Sequence, residues 1–291
     1  MNDLIKTIFK TLFFFDLGII VLSVLPEFKF KNAALNNLCN MALCAVILIV
    51  FTVVFLKIVE KKTLRLSAHP KKSAFLKGIG IGILFPAVIL GIMFLFKVVS
   101  FSPFQKPEKI TELFYYTGAL FCCSLAGELL LRGYLFRLYK KHYGFLFSTV
   151  VTTLLFISFN LEIFKTGKIY SANIILINIL LCFLLEYTRS FAAVVLARFF
   201  YSVITCIVLG TVSTSSQYPV FFNLVFSGKK LITGSENGFE ASIITLIITS
   251  VITILLLNRK YNLLSRSKDT VIYLKKQFKN IKRKRNKVRV K

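Results

Sequence analysis

Glu128 and Arg132 stand four residues apart in LAGELLLRGYLF, a run that otherwise reads as membrane. A carboxylate can act as a general base and a guanidinium can hold an anion, so the pair has chemistry available to it. It also carries a cost, on the order of 2.5–3.5 kcal/mol for an ionised side chain at mid-span by insertion scales. Residues at i and i+4 share one helix face, and the acid-before-base order is the favourable one. Two readings follow from the pair alone: a self-satisfied brace within a helix bundle, or part of a functional site. Asp16, Glu186, Arg189 and Arg198 are further ionisable residues within or beside apolar runs.

Other chemistries find few residues to use. The two histidines, His69 and His142, fall in predicted cytoplasmic loops. No C-x-x-C, H-E-x-x-H, G-x-S-G or G-x-G-D motif occurs, so neither a metal nor a cofactor is expected. Cys39, Cys44, Cys122, Cys123, Cys182 and Cys206 all lie in apolar runs, where cysteine behaves as a small hydrophobe.

The elements that must position these residues are membrane helices. Of the 291 residues, 56% are hydrophobic, and the mean hydropathy is +0.74. That exceeds what a soluble domain carries and predicts an all-α, polytopic membrane helix bundle. A crossing needs about 20 mainly apolar residues. Eight segments qualify: 8–26, 37–58, 78–98, 112–135, 144–163, 169–187, 190–211 and 240–258. The first run lacks a small-residue cleavage site behind it and reads as an anchor.

The net charge of +26 suits anionic lipid at a membrane face better than nucleic acid. Eight spans with a cytoplasmic tail put both termini inside the cell. Twenty-seven of the 38 basic residues then fall on the cytoplasmic side and nine outside, as the positive-inside rule requires. The tail supplies fourteen of the 27. Within it, Val271, Leu274, Phe278 and Ile281 form an apolar stripe beside Lys275, Lys276, Lys279, Lys282, Arg283, Lys284 and Arg285. Such a helix would lie on the anionic inner leaflet, gaining about 1 kcal/mol per basic residue near the surface.

The pattern E-x-x-x-R-G followed by an aromatic-rich apolar stretch resembles the first motif of the CAAX protease and bacteriocin-processing (CPBP, or Abi) membrane family. That family reads E-E-x-x-x-R, then F-x-x-x-H, then H-x-x-x-N or D, on successive helices of an eight-span bundle. The corresponding stretches here are FISFN, ending at Asn160, and RFFYS, residues 198–202. The loop SGKKLITGSENGFEAS, residues 227–242, looks like the external segment before the last span of bacterial members. The resemblance divides the chain into two N-terminal helices with a loop (1–69), a CPBP-like core (70–258) and the basic cytoplasmic tail (259–291).

By that resemblance the family's water-activating glutamate falls on Gly127, its first histidine on Asn160, its second on Arg198 and its closing asparagine on Ser202. Glu128, Arg132 and Phe156 keep the family's residues. Asparagine cannot take up a proton and arginine stays protonated, which leaves Glu128 as the one candidate base. Its neighbour Arg132 holds it ionised and weakly basic. A site of two carboxylates and one guanidinium becomes one of a single carboxylate and two guanidiniums. Arg198 would then either pair with Glu128 or receive an anion such as a lipid phosphate or peptide carboxylate.

The resemblance implies a family pseudoenzyme that has lost proteolysis and works as a scaffold for a membrane or cell-envelope protein, as lysostaphin-resistance-type relatives do. Two other readings remain: a working CAAX or bacteriocin-leader endopeptidase with an altered site, and bacteriocin self-immunity. The Lys-, Asn-, Ile- and Phe-rich composition points to a bacterial cell membrane.

Overall fold

A computed structural model describes residues 2–59, 61, 72–104, 110–210, 218–234 and 237–261. The chain separates into two compact units, Met1–Ile247 and Ile248–Lys291, and every residue of the site discussed below lies in the first. The basic stripe of residues 275–285 lies outside the described residues.

The long helices are α1 (Asn2–Ser23), α2 (Ala33–Ile58), α3 (Lys72–Leu95), α4 (Ile110–Glu128), α5 (Phe136–Phe159), α7 (Lys168–Thr188), α8 (Phe191–Ser202) and α10 (Ile243–Tyr261). Among the described residues six helical runs are long and apolar enough to cross a membrane. One of them, Ile110–Phe159, covers two of the expected spans. The loop expected between those spans is helical instead, and the break falls at Gly144, whose φ of 82° suits a residue without a side chain. Helix α1 covers the remaining expected span, but Lys6, Lys10 and Asp16 make it too charged to count as a crossing on composition. All eight expected segments therefore fall on helices, and the protein is an all-α, multi-pass membrane protein.

Among the described residues, two π-helical stretches interrupt the α-helical pattern. Leu129–Leu135 joins α4 to α5, and Val203–Val208 extends α8. In each, a backbone N–H reaches back five residues, Phe136 to Leu131 and Leu209 to Ile204. Such wide turns concentrate at functional sites, and here they begin immediately after Glu128 and Ser202.

The described part of the segment between residues 212 and 239 carries structure. Strand β2 (Leu224–Phe226) pairs antiparallel with β1 (Val99–Phe101), matching Val99 with Phe226 and Phe101 with Leu224. The short helices α6 (Ile163–Thr166) and α9 (Lys230–Thr233) and a 3₁₀ turn, Phe239–Ala241, complete the element order.

Helix α8 is placed by close backbone contact. A Cβ on Gly78 would sit 2.3 Å from the Ala193 carbonyl oxygen, and one on Gly82 would sit 2.5 Å from that of Ala197. The paired four-residue spacings, Gly78 with Gly82 on α3 and Ala193 with Ala197 on α8, are the small-residue packing that lets membrane helices approach closely. Ser190 starts α8 by accepting the Ala193 N–H at 3.3 Å, after Arg189 turns the chain at a left-handed φ of 52°.

The π stretch after Glu128 is fixed from the other side by an aromatic cluster. Phe14 packs on Tyr134 at 4.8 Å and on Phe55 at 4.9 Å between ring centroids, and Leu129 and Leu135 are fully buried beside them. These edge-on and tilted contacts suit aromatic quadrupoles and hold Glu128 and Arg132 in register.

Candidate functional site

Glu128 closes α4 and Arg132 lies one turn on, both with no exposed surface. Glu128 Oε2 accepts from Arg132 Nη1 at 2.5 Å, as the i, i+4 spacing anticipates. Its second oxygen, Oε1, accepts from Arg198 Nη1 at 3.0 Å, across from α8. Each carboxylate oxygen thus holds one guanidinium, and the three ionised groups sum to one positive charge.

Arg132 reaches further. Its Nη2 donates to both the backbone oxygen and Oδ1 of Asn178 on α7, at 2.6 Å each. The Asn178 amide in turn donates to Thr153 Oγ1 on α5 at 3.1 Å. A buried guanidinium with a carboxylate on one edge and an amide pair on the other binds α4, α7 and α5 together. Composition gave one hint of Asn178, an amide in the middle of the apolar run IILINILL.

Arg198 is the most open member, with 29% of its side chain exposed. Its guanidinium lies across Gly127, where a Cβ would meet Nη1, Cζ and Nη2 at 3.6–3.8 Å. The position that the resemblance assigns to a second carboxylate is covered by this cation.

Arg198 also lines a cavity of about 180 Å³ between α3, α5, α7 and α8. Phe156, Asn178, Tyr201 and Ser202 share that wall, and Ile81, Phe85 and the leucines and isoleucines of α7 make the rest apolar. Of the positions singled out in the sequence, Phe156, Arg198 and Ser202 therefore meet in one cavity, with Glu128, Arg132 and Gly127 directly behind Arg198. Asn160 is not among the lining residues. It ends α5 with its side-chain amide donating to its own helix, at the Phe156 carbonyl, 2.8 Å away.

A second buried acid stands behind Tyr201. Glu240, in the 3₁₀ turn before α10, is 3% exposed and accepts a hydrogen bond from the Tyr201 hydroxyl. Asn173 of α7, itself fully buried, holds the turn by donating to the Glu240 carbonyl at 2.7 Å and the Ser242 carbonyl at 3.1 Å. Burial pushes the Glu240 carboxyl up to about 7, and the Tyr201 hydroxyl offsets part of that rise. Nothing in the local pattern marks Glu240, because its partners sit on helices distant in the chain.

The fold and this cluster define a class: multi-pass helical membrane proteins with a buried acid and a buried arginine at a helix junction, joined by a second, partly exposed arginine. Residues 109–204 match the family model for type II CAAX prenyl endopeptidase Rce1-like proteins, so this third of the chain is similar to that family. It holds Glu128, Arg132, Asn178 and Arg198 together. No curated protein and no solved structure matches the chain.

Proposed function

We propose that this intramembrane-protease-like protein has lost proteolysis and serves as a scaffold or partner-binding subunit for a membrane or cell-envelope protein, with both termini in the cytoplasm. The observation that carries this reading is the state of Glu128. A general base must reach the water it activates and have a pKa near working pH. Both Glu128 oxygens are instead engaged by guanidiniums, in a fully buried position. Position 160 holds an amide committed to its own helix, and positions 198 and 202 hold groups that do not accept a proton at neutral pH. What remains of the site is its bracing, which suits a rigid docking body.

Two assays on the purified full-length chain test this. In liposomes, prenylated CaaX peptides and bacteriocin-leader peptides should stay intact over hours. Cleavage that disappears in Glu128→Gln would overturn the reading. Cross-linked co-purification from native membranes should recover one membrane or envelope protein from the wild type and much less of it from Glu128→Ala.

A further inference from the structure

We propose that the cavity in front of Arg198 is a binding site for a single-chain anionic amphiphile, a carboxylate or phosphate headgroup on one acyl chain. Four features of the site support this.

The first is charge. Glu128 balances only one of the two guanidiniums it touches, so the cluster keeps a net positive charge away from bulk water, where a charge is costly without a counter-ion. Among the described residues, Arg198 is the only lysine, arginine, aspartate or glutamate on the cavity wall. Glu240 lies behind Tyr201, whose hydroxyl donates to it, and does not line the cavity.

The second is unspent donors. A guanidinium has five N–H groups in a planar fork, and Arg198 directs one nitrogen, Nη1, at Glu128. Arg198 lines the cavity, and its guanidinium lies over a glycine that offers no side chain to cover it. Ser202, one turn further along α8, adds a hydroxyl to the same wall. Together they can hold a headgroup by charge-assisted hydrogen bonds.

The third is the remaining wall, formed by Phe85, Ile174, Ile177, Leu181 and Leu184 among others. An inorganic anion would leave this surface unfilled, whereas an acyl chain would cover it. At about 180 Å³ the space holds roughly six water-sized groups, enough for a headgroup and the first carbons of one chain and too little for a folded segment.

The fourth is access. The lining residues of α3 and α7 come from the middle of those helices, and one of them, Ile81, is 46% exposed. A ligand entering at that depth arrives from the bilayer.

This site does not depend on the loss of proteolysis. A failed lipid titration leaves the partner-binding reading standing, and peptide cleavage would leave the lipid site standing. The test is a binding titration of delipidated, detergent-solubilised full-length protein with radiolabelled oleate, lysophosphatidate and neutral monoolein. Oleate or lysophosphatidate should bind at least about tenfold more tightly than monoolein, the value of one charge-assisted contact. The better of the two anions identifies the headgroup as carboxylate or phosphate. Arg198→Gln should remove that preference. Leu181→Trp, which fills the cavity without touching the ion cluster, should abolish saturable binding with its melting temperature unchanged. Equal affinity for monoolein, or anion binding unaltered by either variant, overturns the proposal.

Discussion

Arg198 Nη1 lies 3.0 Å from Glu128 Oε1 across 70 residues of sequence, with the guanidinium laid over Gly127. This contact turns a local Glu–Arg pair into a trio that ties α4 and its π stretch to α8. The two arginines that share Glu128 are nevertheless unequal partners, because one is sealed in and the other borders a cavity.

Arg132→Gln should therefore destabilise the protein by about 3–5 kcal/mol, since it strips a buried carboxylate of its nearest cation and leaves the Asn178 oxygens without their donor. Arg198→Gln should cost less, about 1–2 kcal/mol, because Glu128 keeps Arg132 and the site sheds its excess charge. Arg132→Lys should not rescue, as a single ammonium cannot serve Glu128 and Asn178 in one plane. Chemical denaturation in mixed micelles, comparing the three variants, measures the order.

Glycine substitutions should differ in sign with position. Gly127→Ala adds a Cβ 3.6 Å from Arg198, an ordinary contact, and gains helix propensity, so stability should rise by up to about 1 kcal/mol. Gly78→Ala and Gly82→Ala drive a methyl against the Ala193 and Ala197 carbonyls and should each cost about 1–3 kcal/mol as α8 is pushed from α3. Thermal melting of the three single variants decides between these signs.

Glu240 should make the protein less stable as pH rises. Its carboxyl sits near 4.5 when unfolded and is raised to about 7 in the fold. Between those values the folded state holds a proton that the unfolded state has released. The stabilisation is complete below about 4.5 and falls as pH climbs to about 7, a difference of about 3 kcal/mol. Glu240→Gln keeps an acceptor for Tyr201 and should flatten this slope. Melting temperatures across pH 4.5–7.5 for both proteins measure it.

Much of the fold was legible in the chain because its signals are local. Apolar runs of about 20 residues mark spans wherever they occur, and all eight expected segments proved helical. The join between 112–135 and 144–163 was not legible, because Arg137, Lys140 and Lys141 read as loop while their backbone continues the helix to Gly144. The pair of glycines on α3 and the pair of alanines on α8 were visible as small residues, but only contact between the helices shows that they meet.

The sequence by itself determined the membrane class and the Glu128–Arg132 brace, because hydropathy and i, i+4 spacing act within one helix. Only the tertiary structure decided which groups complete the site. Asn178 lies 46 residues from Arg132, Arg198 lies 70 from Glu128, and Glu240 lies 39 from Tyr201. Whether such residues meet depends on the rotation of each helix about its own axis. That rotation is set by close packing at Gly78 and Gly82 and by the wide turns after Glu128 and Ser202, which leave no mark in the periodicity of the chain.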